Sequence, residues 1–155
     1  MSDDELAAAL WPMTDGVITL RPPMDEDRVA IIAGRDDESR RWLGSGADDP
    51  RPTAAIVADG QVVGWVGYDA DREWLQPGEV NVGYAVFPAH RGEGYASRAL
   101  KLLMQHLSEA THFDTATLLI DPENLASLAV ARSTQFRSSG EINGSRYFKR
   151  SIREL

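Results

Sequence analysis

The sequence predicts an α/β (α+β) fold in which a mixed, mostly antiparallel sheet of about six to seven strands carries helices on both faces. Three observations point there. Asp59-Gly60 and Asn143-Gly144 each separate two β-rich runs, and such dipeptides are the strongest short-range hairpin signals a sequence offers. Between the hairpins, a β-patterned run over 79–87 leads through a glycine-rich turn into a segment with Ala96, Ala99, Leu100, Leu103 and Leu107 at helical spacing. A buried-type run over 115–120 follows, so a strand–helix–strand unit joins the two hairpins into one sheet.

Taken in order, residues 1–15 are acidic and then Ala-rich, with Trp11-Pro12 ending any short helix, which makes a frayed or docking N-terminal segment ahead of a single domain over 16–155. Val17 to Arg21 is strand-like. Asp25-Glu26-Asp27 opens a helix whose first-turn acids suit its dipole, with Val29, Ile31, Ile32 and Ala33 as buried material and Gly34 as its stop. A short helix over 38–43 precedes a loop over 44–52, rich in Gly, Ser, Asp and Pro. Thr53–Ala58 and Gln61–Tyr68 form the first hairpin, 69–78 connects it to the central strand, and 124–133 is a helix. Phe136–Ile142 and Tyr147–Ile152 form the second hairpin.

At 155 residues, 43% hydrophobic and 26% charged, the chain suits one domain with a core of ordinary size. No run reaches the ~18 apolar residues of a membrane span, and Met1-Ser2-Asp3-Asp4-Glu5 has the wrong charge for a secretory or mitochondrial leader, so a cytoplasmic location is expected. Cysteine is absent, which excludes disulfides, thiolate nucleophiles and Cys-based zinc sites. His90, His106 and His112 offer no i, i+4 pair with a supporting carboxylate, and no metal is expected. A net charge of −8 argues against nucleic acid or an anionic membrane as partner; it is compatible with a cationic acceptor, although simple solubility is the more common reason for such a balance.

The chemistry centres on Pro88-Ala89-His90-Arg91-Gly92-Glu93-Gly94-Tyr95-Ala96. Gly92 and Gly94 lack a Cβ, so successive N–H groups can converge on one anion at the positive end of the following helix, and a pyrophosphate is the ligand this predicts. A Rossmann dehydrogenase fails on context: Ser97 stands at the third glycine position, and Asp114 precedes the next strand instead of ending it. No Gly-x-Ser-x-Gly elbow supports a serine hydrolase.

Arg91-x-x-Gly94-x-Ala96 after Val82-Gly83-Tyr84 resembles the acetyl-CoA signature of the GNAT N-acetyltransferase superfamily, and Leu118-Leu119-Ile120-Asp121-Pro122-Glu123-Asn124-Leu125-Ala126-Ser127 resembles its fifth strand and Asn-x-x-Ser helix start. Gly16 to Pro22 is similar to the first strand of the branch that includes ribosomal-protein N-terminal acetyltransferases. The resemblance implies acetyl-CoA as co-substrate, held by Val86, Arg91, Gly92, Glu93, Gly94, Tyr95, Ala96 and Asn124. It also implies direct transfer to a primary amine, on a protein or peptide N-terminus or a small molecule. Ser127 is then the proton source for the leaving thiolate. Related enzymes often have Glu where Asn81 stands, which shifts the base role to Glu79, on the same strand face, or to a water chain. Where many relatives carry a general-acid Tyr this chain has Ala131, and Gln135-Phe136 replaces their Gly-Phe. Tyr84 and Tyr147 are further hydroxyls, read as core or rim aromatics. Trp42 and Glu38 are the candidate acceptor walls, beside Asp36 and Asp37. Homodimers are common among the relatives. The alternative reading is a non-catalytic acyl-CoA-binding module.

Overall fold

The computed structural model describes residues 2–37, 41 and 52–153. Its frame is one sheet ordered β1-β2-β3-β4-β5-β6-β8-β7, built from β1 (Met13–Thr14), β2 (Ile18–Arg21), β3 (Ala54–Ala58), β4 (Gln61–Asp69), β5 (Glu79–Val86), β6 (Thr115–Ile120), β7 (Arg137–Ile142) and β8 (Ser145–Ser151). All neighbours are antiparallel except β5 and β6. A parallel pair needs a crossover, and α3 (Tyr95–Ala110) supplies it. Among the described residues, α1 (Asp3–Ala9), α2 (Asp25–Ala33) and α4 (Leu125–Ser133) are further helices.

The sheet has eight strands rather than six to seven, because β1 adds itself at the edge: Met13 and Thr14 pair with Leu20 and Thr19. A two-residue strand is too short to show any periodicity. The segment before it is folded onto α3. Trp11 stacks on His106 with ring centroids 4.2 Å apart, and Asp15 pairs with Arg98 at 2.8 Å. Both hairpin dipeptides adopt the positive φ that a type I′ turn needs, at 50° and 75° for Asp59 and Gly60 and at 50° and 85° for Asn143 and Gly144.

The main core lies between α3 and one face of the sheet. Ala99, Leu100, Leu103 and Leu107 are buried as their spacing predicts, joined by Leu102 and Met104, against Leu20, Ile56, Val66, Val80, Val82 and Leu118. Each fully buried aliphatic side chain of this kind contributes about 1.5–3 kcal/mol of transfer free energy. Strand alternation sends Trp65 and Gly83 to the opposite face, and α2 packs on β4.

The α2 burial pattern differs from the expectation. Of the four residues read as its buried material only Ile31 is buried, while Val29 is 70% and Ile32 50% exposed, and Ala33 is exposed as well. Its second buried position is Asp27, whose carboxylate accepts two hydrogen bonds from the Arg21 guanidinium and one from the Met24 N–H at 2.7 Å. Arg21 holds the Asp27 carboxyl below the usual range. Gly34 ends the helix as expected. A Cβ there would lie 2.7 Å from Phe87 Cδ1, which is why no larger residue fits.

The end of α4 is set by paired backbone bonds. Phe136 N–H bonds to the Ala131 carbonyl (2.9 Å) and Gln135 N–H to the Arg132 carbonyl (3.1 Å), a Schellman closure whose pivot residue must be left-handed. Gln135 fills that position at φ 67°. An L side chain there costs roughly 1–2 kcal/mol, so Gln135→Gly is expected to raise the midpoint of thermal unfolding by several degrees. A lowered midpoint by calorimetry would show that the Gln135 side chain contributes more than its backbone strain costs.

Candidate active site

Strands β5 and β6 pair only through Glu79–Thr115, Val80–Ala116 and Asn81–Thr117. Beyond that they part, β5 staying with β4 as far as Val86 and β6 with β8 as far as Ile120. The facing edges of Val82–Val86 and 118–120 therefore have no ladder between them. The gap is a cleft of about 390 Å³, closed at one end by the turn before α3 and flanked by the start of α4. Main-chain groups along such an edge can bond an extended, amide-bearing ligand as a missing strand would.

At the turn, Gly92 and Gly94 have φ of 84° and 80°, and a Cβ built on either meets nothing within 4 Å. Gly94 is the N-cap of α3 and provides no side-chain cap. The first helical bond of α3 runs from Arg98 N–H to the Gly94 carbonyl, so the amides of Tyr95, Ala96 and Ser97 have no partner within the helix. With the helix dipole behind them, they form a site for an anion.

Further along the cleft, three polar side chains meet. The Asn124 carboxamide caps α4 by accepting from Ser127 N–H (3.2 Å), and its Nδ2 donates to Ser127 Oγ (3.1 Å). The Tyr84 hydroxyl, carried by the stretch of β5 that has parted from β6, donates to the same Oγ at 3.0 Å. Burial pushes the Tyr84 phenol pKa up, only partly offset by the Ser127 bond.

Residues 18–137 match the model of the acetyltransferase (GNAT) domain. The chain belongs to the GNAT acetyltransferase family. The match marks it as an N-acetyltransferase. Among solved structures, the ribosomal L7/L12 α-N-protein acetyltransferase RimL in complex with CoA superimposes with a TM-score of 0.74 at 17% identity, over 93% of this chain and 98% of that one. RimJ of Mycobacterium smegmatis, with a CoA disulfide, gives 0.69 at 22% identity over 89% and 83%. The aminoglycoside acetyltransferase AAC(6')-Ib, with paromomycin and acetyl-CoA, gives 0.73 at 14% identity over 87% and 93%. No curated protein sequence matches the chain.

The GNAT cleft gathers some of the anticipated residues and leaves others out. Val86, Arg91, Gly92, Gly94, Tyr95, Ala96, Asn124 and Ser127 all line it, while Glu93 is exposed and lies outside its wall. Arg91 lines the cleft and is held there by protein groups. Its guanidinium makes a bidentate pair with Asp36 at 2.8 and 3.1 Å and its Nε donates to the Val86 carbonyl at 3.1 Å. The charge expected at the phosphates is therefore matched by α2's following residues. Asp36 is thereby tied to the turn. Trp42 and Glu38 lie outside the described residues.

Glu79 and Asn81 sit on the paired part of β5, off the cleft wall. Asn81 Oδ1 accepts from Thr117 Oγ1 at 3.1 Å. The Glu79 carboxylate is buried and takes hydrogen bonds from Gln76 N–H (3.0 Å), the Tyr147 hydroxyl (3.1 Å) and Lys149 Nζ (2.6 Å). Burial alone pushes its pKa up, but those three donors together bring it below the ordinary 4.5. Such a carboxylate is already occupied by three donors and sits off the cleft wall. Ala131 is wholly buried in the core, so nothing catalytic projects from the position where relatives carry Tyr. Tyr84 was read as core or rim. Its ring does pack against the core, yet its hydroxyl reaches Ser127, a contact across 43 residues that no local pattern announces.

Proposed function

We propose that the chain transfers the acetyl group directly from acetyl-CoA to a primary amine in a ternary complex, and that an N-terminal α-amine of a peptide or protein is the acceptor class its chemistry favours. The observation that carries the reading is the placement of the Ser127 hydroxyl on the wall of a cleft that begins at an anion-binding turn. A pyrophosphate seated on the amides of Tyr95 to Ser97 leaves the pantetheine arm to run along the open β5 edge. The thioester then arrives near Ser127.

Amide formation needs a neutral amine, and the buried carboxylate of the central strand, Glu79, is held by three donors with its pKa lowered. It can accept the amine's proton only at one remove, through the Tyr147 hydroxyl or water. An α-amine, with a pKa of about 7.7–8.0, is substantially neutral near working pH, whereas a lysine-like amine near 10.4 is not. The RimL and RimJ likenesses support the same class. The charge of −8 suits a cationic chain end.

The test is a paired-peptide assay of CoA thiol release with mass detection of the product. A peptide with a free N-terminus is expected to be acetylated there, and the same peptide with a blocked N-terminus and one internal lysine is expected to be acetylated at least ~10-fold more slowly, reflecting its smaller neutral fraction. Preferential modification of the lysine, or of an aminoglycoside in parallel reactions, would overturn the acceptor class while leaving acetyl transfer in place.

A further inference from the structure

We infer that Tyr84 is a positioning residue for catalysis: its hydroxyl and the Asn124 carboxamide together fill the lone pairs of Ser127 Oγ and so turn the Ser127 O–H into the cleft, toward the sulfur of the leaving CoA. The inference rests on the proposed role of Ser127. A serine hydroxyl accepts at two lone pairs and donates one hydrogen. Ser127 N–H bonds to Asn124 Oδ1, which fixes the carboxamide and leaves only Nδ2, a pure donor, to face Ser127 Oγ. One lone pair is thereby taken. Tyr84 supplies the second hydrogen at 3.0 Å. With both pairs occupied, the serine's own hydrogen is directed away from Tyr84 and Asn124. Burial raises the Tyr84 pKa above the ordinary 10.0, so the phenol stays a donor throughout the working pH range.

The step this serves is balanced as follows. The amine nitrogen forms a bond to the acetyl carbon, the carbon–sulfur bond breaks, and its electron pair stays on sulfur. The amine releases one proton to solvent, directly or by relay. The thiolate leaves hydrogen-bonded to Ser127 and takes up a proton from solvent. Ser127 and Tyr84 end the cycle as they began it. A hydrogen bond aimed at the atom where charge develops, and already oriented before reaction, lowers the barrier without reorganisation.

Steady-state kinetics at saturating acetyl-CoA tests this. Tyr84→Phe keeps the packed ring and removes only the hydroxyl; kcat is expected to fall about tenfold, the rate equivalent of one ordinary hydrogen bond, with the KM for acetyl-CoA unchanged. Ser127→Ala is expected to fall about a hundredfold, as for other lost donors to developing charge. The double variant is expected to be no slower than Ser127→Ala, because Tyr84 acts only through that hydroxyl. Asn124→Asp gives an independent arm. It keeps the cap oxygen but replaces the donor with an acceptor, so the Ser127 hydrogen turns toward it and kcat should fall as in Tyr84→Phe. Wild-type kcat in Tyr84→Phe, or losses that multiply in the double variant, would overturn the inference while leaving Ser127 in place. Normal turnover by Ser127→Ala would instead remove the reading beneath it, and the inference would fall with it.

Discussion

Gly94→Glu is expected to weaken CoA binding by at least ~100-fold, the cost of setting like charges against each other in an anion site. Gly94 sits at φ 80° as the N-cap of α3, and a Cβ built there points into open space. That space is where an anion would meet the amides of Tyr95 to Ser97. A glutamate at this position fills it twice over. Its bulk occupies the approach, and its carboxylate takes the favourable end of the helix dipole that a pyrophosphate would otherwise use. The substitution also has a backbone cost of roughly 1–2 kcal/mol, because the left-handed conformation disfavours an L side chain. Gly94→Asn separates the two effects, since asparagine tolerates that conformation and brings no charge. Calorimetric titration with CoA should show Gly94→Asn losing far less affinity than Gly94→Glu, with both variants folded by circular dichroism. Retained wild-type affinity in Gly94→Glu would mean that the turn is a structural feature and that CoA is bound elsewhere.

Much of this site could be read from the sequence because its signals are local. The turn needs two glycines within three residues, α3 shows its apolar stripe over three turns, and each hairpin is marked by one dipeptide whose backbone angles came out as required. What could not be read is what tertiary pairing decides. The cleft exists because β5 and β6 stop pairing after Asn81 and Thr117, and nothing in either strand's composition marks that point. Tyr84 alternates with Val80 and Val82 on the core face, so periodicity files it as packing. Only the arrival of Ser127 from 43 residues downstream gives its hydroxyl a purpose. Arg91 reads as a ligand residue from its place in the turn, but its pairing with Asp36, 55 residues earlier, is invisible to any local pattern. For α2, the apolar letters outnumber the buried positions, and an ion-paired aspartate takes one of them.

Glu79→Ala is expected to destabilise the protein by about 2–3 kcal/mol, somewhat less than the roughly 3–5 kcal/mol for removing one partner of a fully buried ion pair. The acid itself is buried, but the Lys149 side chain is 35% exposed, and water offsets part of what it loses. The remaining cost is real because Gln76 N–H and the Tyr147 hydroxyl are left without their acceptor as well. For a chain of this length that corresponds to a fall of roughly 5–10 °C in the midpoint of thermal unfolding. The pH dependence follows from the directions of the two shifts. Glu79 is lowered below 4.5, so its contribution is fully present above the unfolded value and is lost as pH falls through the folded one. Lys149 is raised above 10.5, chiefly by its hydrogen bond to Glu79, so its contribution is fully present below the unfolded value and is lost as pH rises through the folded one. The stability gap between wild type and Glu79→Ala should therefore be flat from about pH 5 to 9 and close toward both extremes. Denaturant titrations within that range and beyond both of its ends decide it. A gap that persists undiminished at pH 3, or a midpoint within a degree of wild type at neutral pH, would show that the carboxylate contributes through its shape in the sheet face instead of its charge.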